Sequence, residues 1–167
     1  MHDRLTRSDI QKMEAEIEHR KLVVRPQALD DLKEARSHGD LSENFEYYAA
    51  KRFKNQNESR IRYLTNMIRT AVIISDASAE DEVGLNNAVT IEFIEDGAKE
   101  TYRLVTSVRA SSLEGLITPQ APLGKAIMGK KVGDVVSVQV NPSYSYSVKI
   151  LEINKMTTDE DDKIRSF

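Results

Sequence analysis

Asp40 and Glu43 are two carboxylates placed three positions apart, directly after Gly39. Side chains three positions apart lie on one face of a helix, so both groups can point at the same place. Magnesium is a hard cation that proteins commonly hold with one or two carboxylates, while water and phosphate oxygens complete its six ligands. The pair therefore predicts an Mg²⁺ site that a second molecule must complete, with no metal bound by the isolated protein.

A structural role for the same two acids competes with this interpretation. An Asp followed three positions later by Glu at the start of a helix is also a capping box, in which each side chain accepts from a backbone amide of the other residue. Short motifs of this length occur often by chance. The two acids alone leave the metal site and the helix cap as alternatives.

The composition excludes several classes of protein. The chain has 167 residues, of which 40% are hydrophobic and 31% charged, and it contains no cysteine. Disulfides, thiol catalysis and cysteine metal sites are therefore excluded. The first residues are charged, and no apolar run reaches the length of a signal peptide or of a membrane helix, about 20 residues. A cytoplasmic protein without membrane contact is expected.

The elements that position the two acids are two long helical arms. Ile10, Met13, Ile17 and Val24 follow a heptad-like spacing that Arg20 interrupts, and the stripe resumes after Pro26. A kink or break is expected at Pro26 because proline lacks an amide hydrogen. The return arm, from about residue 42, has seam positions at Tyr47, Ala50, Lys54, Asn57, Ile61, Leu64, Ile68 and Ala71. Residues 1–75 thus form an antiparallel coiled-coil hairpin with the acidic tip at 39–44.

The hairpin is also the more basic part of the chain. Residues 1–75 carry 14 Lys and Arg against 12 Asp and Glu, whereas residues 76–167 carry 10 against 15. The return arm has a basic strip in which Glu58 is the only opposing acid. The strip consists of Lys51, Arg52, Lys54, Arg60, Arg62 and Arg69. Such a strip can follow a nucleic acid or an acidic channel, or it can be the solvated face of a coiled coil.

A change of periodicity divides the chain. Residues 76–82 are polar and predict a linker, after which apolar residues alternate as in β-strands. Pro122 and Gly129 bracket a short helix. Residues 83–155 therefore predict a small antiparallel sheet with one short helix, which makes the whole chain an α+β protein. Residues 156–167 predict an acidic, frayed tail.

Two segments in the two predicted domains carry a family resemblance. They are EARSHGDLSENFEYYAA at 34–50 and APLGKAIMGKKVGD at 121–134, with Arg60 and Ile61 between them. In these segments the chain resembles the bacterial Gre transcript-cleavage factors, of the GreA type, over about residues 5–155. The resemblance implies a coiled-coil hairpin followed by a domain of FKBP-like fold.

The resemblance also implies a function. The C-terminal domain would dock on bacterial RNA polymerase, and the hairpin would enter the secondary channel of the enzyme. Asp40 and Glu43 match the acids that help hold the second catalytic Mg²⁺, so that the polymerase cuts backtracked RNA near its 3′ end. The chain itself would be a monomeric cofactor of that cleavage rather than an enzyme.

Further site residues follow from the resemblance position by position. The matched positions are Leu41, Asn44 and Tyr47 for the framework of the tip, Arg36, Lys51 and Arg52 for a basic patch near the RNA, and Pro122 with Leu123 for an exposed polymerase-docking surface. Two positions depart from the family pattern. Phe45 stands where a small residue is usual, and Ala121 replaces a common serine.

Two other functions remain as alternatives. A regulator that binds the same channel without stimulating cleavage would tolerate the bulk of Phe45 beside the acids. A prolyl isomerase would suit the FKBP-like fold, but its pocket needs several converging aromatic side chains. The second domain offers only Phe93, Tyr102, Tyr144 and Tyr146, some of which must fill the core.

Overall fold

The computed structural model describes residues 2–39 and 44–166. It has the expected α+β composition, with a helical hairpin followed by a β-sheet and one short helix. The chain divides into two compact units, one of Met1–Asp3 and Asp9–Val72 and the other of Arg4–Ser8 and Ile73–Phe167. None of the described helices is both long enough and apolar enough to cross a membrane.

The first arm of the hairpin is helical from end to end but changes its hydrogen bonding in the middle. Helix α1 (Arg7–His19) passes into a π-helical turn at Arg20–Val24 and then into α2 (Arg25–Arg36). The Arg25 amide donates to the Arg20 carbonyl, five positions back, and Pro26 follows directly. The wider turn accommodates the proline that an α-helix would exclude. The irregularity expected at Pro26 is present, but the helix does not end there.

The second arm is helix α3 (Phe45–Thr70), which packs along the first. The predicted seam positions turn inward: Ile61 and Leu64 are buried on α3, and Met13, Ala28, Leu32 and Ala35 are buried on the first arm. The heptad-like spacing therefore predicted the contact face correctly. Two short strands, β1 (Arg4–Leu5) and β2 (Val72–Ile73), form a two-stranded sheet.

The second unit contains a five-stranded sheet in the order β5-β4-β3-β7-β6. Its strands are β3 (Ala88–Phe93), β4 (Lys99–Leu104), β5 (Leu116–Ile117), β6 (Val135–Asn141) and β7 (Tyr144–Asn154). The predicted antiparallel hairpins β3–β4 and β6–β7 are present. The sheet is antiparallel as predicted except at one edge, where β5 pairs with β4 in parallel. Two-residue strands carry too little periodicity for a sequence pattern to detect.

One helix, α4 (Pro122–Ile127), covers the apolar face of this sheet. The core contains Val83, Val89, Ile91, Leu104, Leu123, Ile127, Val138, Val148 and Ile150. Gly124 permits the close approach of α4, since a Cβ at this position would lie 2.0 Å from the Thr118 carbonyl oxygen. The packing of α4 against the Thr118 backbone therefore depends on this residue having no side chain.

The C-terminal segment differs from the expected frayed tail. The Arg165 amide donates to the Val108 carbonyl at 2.8 Å, and Asp162 forms ion pairs with Arg103 and Arg109. The Asp162 carboxylate is buried beside two guanidinium groups, and these ion pairs hold the segment in place. Its composition alone had predicted an acidic, solvated tail. The prediction of a frayed tail was wrong for the described part of this segment.

Candidate functional site at the hairpin tip

The tip joins the end of α2 to the start of α3. Helix α2 ends at Arg36 with Ser37 as its C-cap, and Gly39 has a φ of +110°, which favours glycine. The predicted metal-holding acids Asp40 and Glu43, with the framework residue Leu41, lie outside the described residues. The described residues on both sides nevertheless show how the two helix ends are held.

Asn44 connects the two arms at the tip. Its Oδ1 accepts from the Tyr47 amide at 3.0 Å, which caps the first turn of α3. Its Nδ2 donates to the Ala35 carbonyl of α2 at 2.7 Å. One side-chain amide thus satisfies a donor at the start of one helix and bonds to a carbonyl near the end of the other, which also accepts from the His38 amide at 3.3 Å.

This arrangement bears directly on the capping alternative. The return arm begins at Phe45, three residues later than the expected start, and its N-cap is Asn44. The first-turn amide that a cap would satisfy already has the Asn44 side chain as its partner. Capping of α3 therefore does not require Asp40.

Further contacts hold the tip from outside. His38 Nδ1 and Glu46 Oε2 lie 2.9 Å apart, both on exposed side chains, and Ser37 Oγ donates to the Glu34 carbonyl at 2.6 Å. Phe45 is 85% exposed, so its ring contributes little to the packing of the tip. Its exposure leaves an apolar surface immediately after the two acids.

The three predicted basic residues near the tip have different environments. The Arg36 guanidinium lies 5.7 Å from the centre of the Tyr47 ring, a cation–π distance, while Lys51 and Arg52 are exposed. The wider basic strip needs a correction at Arg60, which is only 6% exposed and points into the hairpin. Arg60 therefore belongs to the interior of the coiled coil and not to a solvated basic face.

A polar cluster in the middle of the hairpin explains the position of Arg60. Arg60 donates through Nε to Glu16 Oε2 at 2.8 Å and through Nη2 to Glu16 Oε1 at 3.2 Å. Arg20 donates to the same Glu16 and, at 3.0 Å, to the Asn57 side chain, whose Nδ2 returns a bond to the Arg20 carbonyl at 3.3 Å. We call these four residues, Glu16, Arg20, Asn57 and Arg60, the seam cluster.

The seam cluster fixes the charge of Glu16. Partial burial opposes ionisation, but the hydrogen bonds and charges of Arg60 and Arg20 outweigh it and lower the pKa of the Glu16 carboxyl. The sequence marked Arg20 and Asn57 as polar interruptions of the apolar stripe, yet it gave no sign that they pair with each other. Their separation of 37 positions hides the contact.

The predicted docking surface is only partly exposed. Pro122 is exposed at the start of α4, but Leu123 is 8% exposed and belongs to the core of the sheet unit. The expectation of an exposed Leu123 was wrong, because the second residue of α4 faces the sheet that the helix covers. Ala121 is the N-cap of α4 and makes no side-chain capping bond, while its amide donates to the Thr118 carbonyl at 3.1 Å.

Three of the four aromatic residues of the sheet unit, Phe93, Tyr144 and Tyr146, line one cavity, but this cavity is open and not a closed pocket. Phe93, Tyr102 and Tyr146 pack against the core, as expected. Tyr144 is 53% exposed, and its ring lies 6.2 Å from that of Tyr146. The cavity has a volume of about 380 Å³ and also has Glu95 and Asp96 in its lining. Within the described ranges, no group of three or more His, Asp or Glu side chains is arranged to hold a metal.

Comparison with known proteins identifies the class. The N-terminal domain model described as "Transcription elongation factor, N-terminal" matches residues 4–73, and the C-terminal model "Transcription elongation factor, GreA/GreB, C-term" matches residues 78–155. A helical hairpin and a sheet unit that match both domains in order define a transcription elongation factor. The chain belongs to the GreA/GreB family.

Two relatives of similar sequence agree with this assignment. The chain is 44% identical over 152 residues to the transcription elongation factor GreA of Streptococcus gordonii, covering 90% of this chain and 94% of the relative. It is 41% identical over 150 residues to GreA of Macrococcus caseolyticus, covering 90% and 95%. A solved structure of GreA factor homolog 1 (Gfh1) of Thermus thermophilus is 26% identical, with a TM-score of 0.43, covering 92% of this chain and 99% of that one.

Proposed function

We propose that this elongation factor stimulates the cleavage of backtracked RNA by RNA polymerase. The hairpin enters the secondary channel, and Asp40 with Glu43 helps hold the second catalytic Mg²⁺ near the 3′ end of the nascent RNA. The chain acts as a monomeric cofactor of the endonuclease of the polymerase, in the cytoplasm where bacterial transcription occurs.

The single observation that best supports the proposal is that Asn44 caps α3. Asn44 supplies that cap and also bonds to the end of α2. Asn44 thus already supplies the cap that a capping box at Asp40 and Glu43 would supply, which favours a ligand-binding role for the two carboxylates. Family membership supplies the partner, since an elongation factor acts on a transcribing polymerase.

The chemistry of the two acids suits magnesium. Two carboxylates provide hard, charged oxygen ligands, and the remaining ligands would come from the polymerase, water and RNA phosphate. Bound there, the metal would stabilise charge on the attacking or leaving oxygen of phosphodiester hydrolysis. The contribution of the chain is to bring these carboxylates to the polymerase on a helical support whose two arms are joined by Asn44.

Substitution of the acids tests the proposal. Asp40→Asn and Glu43→Gln keep the shape of each side chain but remove the charge that Mg²⁺ requires. Each variant should bind polymerase as the parent does and lose stimulated cleavage by roughly tenfold to a thousandfold, as expected for a group that acts in the transition state. Higher Mg²⁺ should restore part of the activity in stalled, backtracked complexes.

A matched control is Glu46→Gln, which removes an exposed carboxylate from the first turn of α3. It should cleave within about twofold of the parent, because the loss is expected to be specific to Asp40 and Glu43. If all three variants cleave like the parent at saturating factor, the acids have no catalytic part.

A non-cleaving regulator of the same channel is the second candidate, favoured by the 85% exposure of Phe45. A ring of this size next to the acids can keep them from seating beside the metal. Phe45→Ala distinguishes the two candidates. If the parent protein does not stimulate cleavage and the variant does, the parent is a channel-binding regulator.

The remaining site residues have supporting roles in the proposal. Pro122, exposed at the start of α4, contacts the polymerase, and Leu123 supports it from the core. Arg36, Lys51 and Arg52 attract the RNA. Charge reversal at Lys51 and Arg52 should reduce cleavage at low salt and have less effect at high salt, where exposed charges are screened. A defect independent of salt would contradict an electrostatic role.

A further inference from the structure

Two arginines of the sheet unit converge on one carboxylate of the C-terminal segment. Arg109 donates to Asp162 Oδ2 at 2.7 Å, and Arg103 donates to the same oxygen. The Arg109 side chain is fully buried, and that of Asp162 is 9% exposed. Convergence of two guanidinium groups on one oxyanion is the geometry by which proteins recognise carboxylates and phosphates.

The sheet unit holds Arg109 in this orientation with its own residues. Arg109 also donates to Asn86 Oδ1 at 2.8 Å and to Thr106 Oγ1 at 3.2 Å. Asn86 is buried and has a φ of +69°, in the left-handed region that few residues other than glycine adopt. Its Nδ2 donates to Asp76 at 3.0 Å. A residue in this uncommon conformation thus aims a buried arginine at the bound segment.

The segment that occupies this surface contains a turn, in which the Asp162 amide donates to the Asp159 carbonyl at 3.1 Å, and it makes further polar contacts on both sides of the turn. Arg103 donates to the Thr158 carbonyl at 3.2 Å, and the Arg165 amide donates to the Val108 carbonyl at 2.8 Å. Thr157 Oγ1 donates to the Asn86 carbonyl. We call the guanidinium groups of Arg103 and Arg109, with the carbonyls of Asn86 and Val108, the tail-binding surface.

The occupant is separable from the domain that binds it. The matching C-terminal family model ends at residue 155, before the segment begins. Between residues 156 and 166 no side chain is fully buried, so polar contacts hold the segment and not an apolar core. Such contacts can be reproduced by another peptide that carries an acidic group in the same position.

From these observations we propose that the tail-binding surface is a site for an acidic peptide segment, occupied here by the tail of the chain itself. An acidic segment of a protein partner exchanges with residues 156–166 at this surface. Two guanidinium groups that converge on one carboxylate oxygen favour an acidic occupant, so the surface exchanges one acidic segment for another.

The state of Asp162 agrees with the proposal. Burial opposes ionisation of Asp162, but its bonds to Arg103 and Arg109 outweigh burial and lower the pKa of the carboxyl. The bound form is therefore the charged form. The covalently attached tail is present at an effective concentration in the millimolar range, so it competes strongly with any free peptide.

The test uses the full chain and a fluorescent peptide with the sequence of residues 156–166. Asp162→Asn weakens the attached tail, and this variant should bind the free peptide at least tenfold more tightly than the parent does. Asp161→Asn changes a neighbouring exposed acid and should bind as the parent does. A peptide in which Asn replaces the acid equivalent to Asp162 should not bind, and Arg103→Gln added to Asp162→Asn should abolish binding.

Equal affinity of the parent and Asp162→Asn for the peptide would overturn the proposal. Tighter binding of a single-stranded RNA oligonucleotide than of the peptide would also overturn it, in favour of a phosphate site. If Asp162→Asn does not fold, hydrogen exchange of the parent protein tests whether free peptide displaces the tail. Excess free peptide should accelerate exchange at the Arg165 amide, and unchanged exchange would refute displacement of the tail.

Discussion

In the hairpin, charged and amide side chains occupy the middle of the contact between the arms, whereas in the sheet unit apolar side chains fill the core. The free energy of apolar contacts changes little when a helix or strand shifts slightly along its axis, because it depends mainly on the buried area. Hydrogen bonds such as those of Arg60 with Glu16 require particular atoms to meet. The hairpin thus gains a defined register and the sheet unit gains stability.

This difference suits the separate tasks that the proposed function gives to the two units. A cleavage factor must present its tip at a defined distance, and a slip of one helical turn would move the tip by about 5.4 Å. A polar residue at a seam position specifies register at some cost in stability. The seam cluster is therefore expected to matter more for the position of the tip than for the total free energy of unfolding.

The largest effect is expected from a cavity in the sheet unit. Leu104 is fully buried in the core, and Leu104→Ala should lower the free energy of unfolding of this unit by about 3 kcal/mol. Hydrogen exchange of the β3 and β7 amides would measure it. The control Val135→Ala removes methyl groups that are 59% exposed and should change stability by less than about 0.5 kcal/mol. Similar losses of unfolding free energy in both variants would contradict the conclusion that the apolar core stabilises this unit.

A smaller loss is expected when the seam cluster is broken. Arg60→Met removes two bonds to Glu16, but Glu16 keeps Arg20 as a partner, so the hairpin should lose about 2 kcal/mol. Thermal unfolding followed by far-UV circular dichroism would measure it. Arg62→Met, two residues on and exposed, is the matched control and should be nearly neutral. If the two variants unfold alike, the cluster does not stabilise the hairpin.

At the tip, two substitutions of Asn44 separate its two bonds. Asn44→Ala removes the cap and the bond to Ala35 and should cost about 1–2 kcal/mol. Asn44→Asp keeps the cap but loses the donor, so it should cost about half as much. Hydrogen exchange at the Tyr47 amide would report the opening of the first turn of α3. An equal loss in both variants would show that the bond to Ala35 carries the whole effect.

The smallest effect is expected from pH. Since the pKa of Glu16 lies below its ordinary value of 4.5 in the folded hairpin, the stabilising charge is fully present above 4.5. It is lost as the pH falls from there through the lowered pKa. Glu16→Gln should remove this part of the acid dependence of hairpin unfolding. An unchanged acid profile in the variant would show that Glu16 is not the responsible group.

The sequence by itself determined the two kinds of architecture and the location of the candidate site. Heptad-like spacing placed Met13, Ile61 and Leu64 in one seam, and alternation over residues 89–93 indicated a strand, because both patterns follow from the local geometry of the chain. The segment at 34–50 identified the tip. The two patterns required only neighbouring residues, whereas the tip required the family resemblance that this segment carries.

Only the tertiary structure decided which polar and charged side chains meet. Arg20 pairs with Asn57 across 37 positions, and Arg109 pairs with Asp162 across 53. From composition, Arg60 was assigned to a basic strip and residues 156–166 to a solvated tail. In the structure, Arg60 and Asp162 are instead each held beside a group of opposite charge. A charged side chain is as compatible with water as with a partner, so its position depends on which opposite charge the fold brings near it.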